Sequence, residues 1–153
     1  MKSIKISSNS DNTTIEIAKN LASYINNKDI IVLTGELGSG KTKFVEGFLS
    51  HFNLQNEISS PTFNIVNEYT TPNQNIYHFD VYRLENIDEF YAIGGEEYFE
   101  NGISLIEWGE IIQDILPKEY IHITFTKDSK DENKRIIEFK AYGKKYEKIL
   151  EAF

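Results

Sequence analysis

Apolar residues recur at two different periods along this chain, and the switches between the periods mark its elements. Ser3-Ile4-Lys5-Ile6-Ser7 alternates and predicts a short strand. From Asp11 to Asn26 the spacing becomes helical. Ile17, Ala18, Leu21, Ala22 and Ile25 share one face, Thr13-Thr14-Ile15-Glu16 fits a capping box, and Asn26-Asn27 ends the run. Ile30-Ile31-Val32-Leu33 is aliphatic without interruption, which suits a strand buried on both faces. Beyond a glycine-rich turn, Phe44, Val45, Phe48, Leu49 and Phe52 return at helical spacing.

Phe63 to Tyr69 and Ile76 to Tyr82 alternate around the turn residues Pro72-Asn73-Gln74-Asn75 and predict an antiparallel hairpin. Asn86-Ile87-Asp88-Glu89 offers a cap for a short helix that stops at Gly94-Gly95. Ile103 to Trp108 predicts a further strand, and Pro117 halts the helical stretch after it. Tyr120 to Thr126 and Arg135 to Tyr142 predict a terminal hairpin around a charged loop, closed by a helix from Lys144 to Ala152. The sum is a three-layer α/β domain with a mixed parallel and antiparallel central sheet. Its 153 residues predict one domain spanning 1–153.

Composition narrows the chemistry. Sixteen Lys and Arg against 24 Asp and Glu leave a net charge of −8, a poor basis for binding phosphate backbones alone. The absence of cysteine excludes disulfides, thiolate metal sites and Cys nucleophiles. The three histidines, His51, His78 and His122, are too dispersed to suggest a His-rich metal site. The first residues lack an apolar core and the longest aliphatic run is Ile30 to Leu33, so neither a signal peptide nor a membrane span is expected, and a cytoplasmic location is.

Gly35-Glu36-Leu37-Gly38-Ser39-Gly40-Lys41-Thr42 fills the P-loop pattern G-x-x-x-x-G-K-[ST]. An aliphatic strand feeds it and an amphipathic helix leaves it, as the chemistry requires. Glycines let the backbone turn its N–H groups inward as an anion nest at a helix N-terminus. The Lys41 ammonium would reach the β- and γ-phosphates, and the Thr42 hydroxyl would ligate Mg²⁺. The fold expected is therefore P-loop NTPase-like, with ATP and Mg²⁺ as cofactors. Further metal oxygens come from strand-end carboxylates, and Asp80 and Glu107 are the candidates. Alternation places Ile76, His78, Asp80 and Tyr82 on one face, but a carboxylate capping a turn explains Asp80 equally well. Glu107 follows four mainly apolar strand residues, where an acid is costly unless ligated or hydrogen-bonded.

The guanine-selective Asn-Lys-x-Asp signature is absent, which disfavours a GTPase. Only Arg83 and Arg135 are available as arginines, few for a kinase that clamps acceptor phosphates. ATP hydrolysis coupled to a conformational change is left; a small-molecule kinase and a non-catalytic ATP-sensing adaptor stand as alternatives. From Leu84 to Pro117 there is no Lys or Arg, while acids and aromatics alternate. A solvated acidic face and a docking surface for a basic partner both fit.

With these motifs in view, the chain resembles the TsaE family of tRNA threonylcarbamoyladenosine biosynthesis. The resemblance rests on Gly35 to Thr42, Ser60-Pro61-Thr62-Phe63, His78-Phe79-Asp80-Val81-Tyr82-Arg83-Leu84, Glu96-Glu97-Tyr98-Phe99 and Leu105-Ile106-Glu107-Trp108, in that order. Glu36 and Gly109 stand where the family commonly has Asp and Pro. The resemblance implies a weak ATPase that acts with TsaB and TsaD, meeting tRNA only through that complex and no membrane. It implies that the loop from Gly35 through Glu36, Leu37, Gly38, Ser39 and Gly40 to Lys41 and Thr42 binds nucleotide, that Thr42, Glu107 and Asp80 complete the metal and hydrolytic site with Lys41, that Thr62 senses the γ-phosphate, and that Ser10 lies near the base. Ordinary helix capping is the competing explanation for Ser10.

Overall fold

The computed structural model describes residues 1–36, 38–57, 65–80, 84–107 and 113–153. In chain order the elements are β1 (Lys2–Ser8), α1 (Asp11–Ala22), β2 (Ile30–Gly35), α2 (Lys41–Ser50), β3 (Val66–Thr70), β4 (Asn75–Asp80), α3 (Ile87–Ala92), α4 (Gly95–Asn101), β5 (Ile103–Glu107), β6 (Tyr120–Lys127), β7 (Arg135–Tyr142) and α5 (Lys144–Ala152). The strands form one sheet in the order β1-β7-β6-β2-β5-β4-β3. Its centre is parallel, with β2 between β6 and β5, and β5 also beside β4. Antiparallel pairs close both edges: β3 on β4 at one side, β6–β7–β1 at the other.

Ile30, Ile31, Val32 and Leu33 are all buried, as a strand covered on both faces demands. Their alternation splits the core in two. Ile31 and Leu33 join Leu105, Ile123, Phe125 and Phe139 beneath the apolar faces of α1, α2 and α5. Ile30 and Val32 join Phe79 and Ile106 on the opposite face, covered by Phe90 of α3 and Phe99 of α4. The three-layer architecture with a mixed sheet is thus the one observed.

Two local expectations need correction. Helix α1 stops at Ala22 and not at Asn26, because Tyr24 and Ile25 bond three residues back, to Leu21 and Ala22, in a tightened last turn. Its cap is Ser10, whose hydroxyl accepts from the Thr13 N–H at 3.1 Å, and not the Thr13–Glu16 box. The short helix capped by Asn86 stops before Gly94-Gly95 as expected, and a separate helix not anticipated, α4, begins there, with Gly94 in a left-handed conformation (φ 72°). The segments 63–64, 81–82 and 108–112, which carry the outer ends of three expected elements, lie outside the described residues.

Candidate functional site

Strand β2 delivers the chain to the centre of the sheet's C-terminal edge, and α2 leaves from the same point. Gly38 and Gly40 between them have φ of 77° and 106°, a region that glycine enters without the Cβ penalty of other residues. Gly40 is the N-cap of α2 and supplies no side chain, so no side-chain hydrogen bond caps this helix. Helices α1 and α3 are capped by Ser10 and Asn86, whereas α4 and α5, behind Gly94 and Gly143, share the lack of a side-chain cap. What sets α2 apart is the second left-handed glycine, Gly38, in the turn before its N-cap, and exposed N–H groups at such a turn are the kind that anions favour. Ser39 in this turn is buried, and its hydroxyl has no hydrogen-bond partner among the described residues. Lys41 is half-buried and Thr42 exposed on the first turn of α2.

Strand register brings the two carboxylates together. Glu107 ends β5 with Leu33 of β2 as its neighbour on one side and Asp80 of β4 on the other. Tyr77 and Phe79 belong to the core under α3 and α4, and Ile76 to the core under α1 and α2. His78, Asp80 and Glu107 therefore project from the face that bears α2. The Asp80 backbone N–H donates to the Ile65 carbonyl at 2.8 Å. Burial pushes the Glu107 carboxyl up, but the hydrogen bond and charge of His78, with the Lys41 ammonium adding to them, more than offset it. The group sits below its ordinary value and is ionised. His78 Nε2 lies 3.0 Å from Glu107 Oε2.

Thr42, Lys41, Glu107 and Asp80 thus come together at one edge with the glycine loop. Ser10 is accounted for by capping α1, and Leu37 and Thr62 lie outside the described residues, as do Arg83 and Trp108. Two cations that sequence reasoning did not assign to the site stand over the loop. Arg135 donates to the carbonyls of Gly38 (3.3 Å) and Lys134 (3.0 Å), and also to that of Glu132. A methyl carbon on Gly38 would come within 3.3 Å of the Lys127 ammonium. Lys127 and Arg135 face each other across β6 and β7, and only the order β7-β6-β2 brings them to the loop. Among the described residues no group of three or more His, Asp and Glu is disposed to hold a metal by itself. A divalent cation here would draw on Thr42, an ionised Glu107 and ligand oxygens, as Mg²⁺ commonly does.

In the acidic stretch, Phe90 and Phe99 are core, whereas Tyr91 is 45% exposed beside exposed Asp88, Glu96 and Glu97. No helix among the described residues is long and apolar enough to cross a membrane.

Comparison with known proteins adds to this geometry. The profile of a family described as threonylcarbamoyl adenosine biosynthesis protein TsaE matches residues 8–137. A tRNA threonylcarbamoyladenosine biosynthesis protein TsaE of Bacillus subtilis (strain 168) is 38% identical over 152 residues, spanning 99% of this chain and 94% of its own length. One from Rickettsia felis is 42% identical over 129 residues, spanning 84% of this chain and 74% of its own. The crystal structure of Bacillus subtilis YdiB aligns with a TM-score of 0.79 at 32% identity, covering 99% of this chain and 93% of that one.

Proposed function

The chain belongs to the TsaE family, and from that premise we propose that it is a Mg²⁺-dependent ATPase supporting formation of threonylcarbamoyladenosine at position 37 of tRNAs that read codons beginning with A. The observation that carries the reading is the uncapped N-terminus of α2 behind Gly38 and Gly40, with the ammonium of Lys41 and the ionised carboxylate of Glu107 beside it. Backbone N–H groups of residues 38–42 bind the phosphates, and Lys41 holds the β- and γ-oxygens. Thr42 and Glu107 are the residues to hold Mg²⁺, which when bound neutralises charge on the phosphates. Asp80, next to Glu107 in register, either adds a metal oxygen or orients the attacking water.

Slow turnover is part of the proposal. Arg135 stands at the loop, but its guanidinium is committed to three main-chain carbonyls and braces the loop. An arginine free to stabilise the transferring phosphoryl group is worth roughly 10³–10⁵ in rate. Partners of the TsaB and TsaD type complete or order the site, and the chain's net charge of −8 suits contact with tRNA through them. The test is ATP turnover by the isolated chain, with and without TsaB- and TsaD-type proteins. Slow hydrolysis accelerated by the partners is expected; fast hydrolysis indifferent to them would overturn the reading.

A further inference from the structure

We infer that His78 is a positioning residue for the metal-binding carboxylate, an inference that rests on the reading of Glu107 as a Mg²⁺ ligand. His78 sits in the interior of β4, and its side chain is 6% exposed against 15% for Glu107. A carboxylate oxygen can only accept, so Nε2 carries the hydrogen and donates to Oε2 at 3.0 Å. The other ring nitrogen, Nδ1, is buried with no hydrogen-bond partner among the described residues.

That orphan atom is the informative one. Leaving a buried polar atom unpaired is costly, and an apolar ring of the same shape would fill the space without that cost. Ile76 on its own strand and Leu105, its register partner on β5, are both fully buried, while its register partner on β3 is the polar Asn67. Packing against Ile76 and Leu105 gives no reason for an imidazole at position 78. Among the described residues its ring hydrogen bond goes to Glu107, the acid beside the glycine loop.

Holding Oε2 fixes the carboxylate plane, so the second oxygen is presented in one orientation and needs no ordering when a cation arrives. Partners that orient a metal ligand in this way are typically worth 10–100-fold in metal affinity. Asp80, two residues along the same strand, is the register neighbour of Glu107, so β4 supplies both the group that steadies the carboxylate and a second acid next to it.

The experiment measures calorimetric affinity for the non-hydrolysable β,γ-imido analogue of ATP, with Mg²⁺ and with EDTA, and reads their ratio. In the natural chain Mg²⁺ should tighten binding. His78→Phe, which keeps the ring but removes the donor, should lose 10–100-fold of that ratio while its affinity in EDTA holds. His78→Gln, whose amide can reach the Nε2 position, should recover most of the loss. His78→Asn, polar but too short to reach, repeats the Phe result should that variant fail to fold. A Phe or Asn variant with an unchanged ratio, or a Gln variant no better than Phe, overturns the inference while Glu107 keeps its place. A natural chain that gains nothing from Mg²⁺ overturns the metal reading and this inference with it.

Discussion

Glu107 holds a negative charge where burial opposes one, and this opposition makes its effects measurable. Its folded value is lowered, so the folded state releases this proton more readily than the unfolded chain. The stabilisation is therefore fully present above the ordinary carboxylate value near 4.3 and is lost as pH falls through the lower folded value. Urea unfolding of the natural chain and of Glu107→Gln between pH 7 and pH 3 should show their difference shrinking on acidification. Parallel curves would mean that the charge contributes nothing. In the proposed function Lys41 bears on ligand more than on fold. Hydrogen bonds to charged groups are worth about 1.5–3 kcal/mol, so Lys41→Ala should bind the ATP analogue roughly 10- to 150-fold more weakly by calorimetry. Lys41, Thr42 and Glu107 could be named as candidates from the sequence because a short motif and an acid after an apolar run are local signals. His78, Lys127 and Arg135 were not, because each acts on a residue distant in sequence: Glu107 for the first, Gly38 for the other two.

The pairing of α1 with α2 turns on one missing side chain. A Cβ at Gly47 would lie 2.3 Å from the Ile15 carbonyl oxygen and 2.7 Å from its Cα, both main-chain atoms that cannot swing aside. In an exposed helix, replacing Gly by Ala gains about 1 kcal/mol of propensity. Here steric overlap opposes that gain, and overpacking costs typically 1–3 kcal/mol, so Gly47→Ala should be net destabilising. For a chain of this size each kcal/mol moves the thermal midpoint by about 2–4 °C, and a calorimetric scan that shows no decrease would refute the close approach. The helices and strands themselves were readable from period, because apolar faces must be buried whichever neighbour does the burying. Phe44, Val45, Phe48 and Leu49 are all buried as their spacing requires. Helix α4 beyond Gly94-Gly95 was missed because, with seven residues, it is too short for its period to register.

Across the whole molecule, the strand order β1-β7-β6-β2-β5-β4-β3 was beyond the sequence, since periodicity tells which face is buried but not which strand lies alongside. One buried cluster shows what that order secures. Asp29, 1% exposed at the start of β2, accepts from the Asn26 N–H at 2.8 Å, from the Tyr146 hydroxyl at 3.0 Å and from the Lys145 ammonium. The same hydroxyl accepts from the Ile30 N–H at 3.4 Å. Helix α5, at the far end of the chain, is thereby tied to the strand that feeds the glycine loop. Burial first, and the Asp29 charge next, push the Tyr146 phenol far above its ordinary value near 10. Tyr77, Tyr98 and Tyr120 are raised as well, each chiefly by burial. A raised value means that the folded chain keeps a proton the unfolded chain gives up, so this stabilisation is complete below pH 10 and drains away above it. Tyr146→Phe leaves the Ile30 N–H unpaired and strips one donor from a buried carboxylate, a loss of about 1–3 kcal/mol at neutral pH. It also removes the largest of these alkaline contributions. Denaturant unfolding from pH 7 to pH 11 should therefore show the variant weaker at neutral pH and the two chains converging as pH rises past 10. Equal stability at pH 7 would show that α5 is held by its apolar face alone, through Ile149 and Leu150.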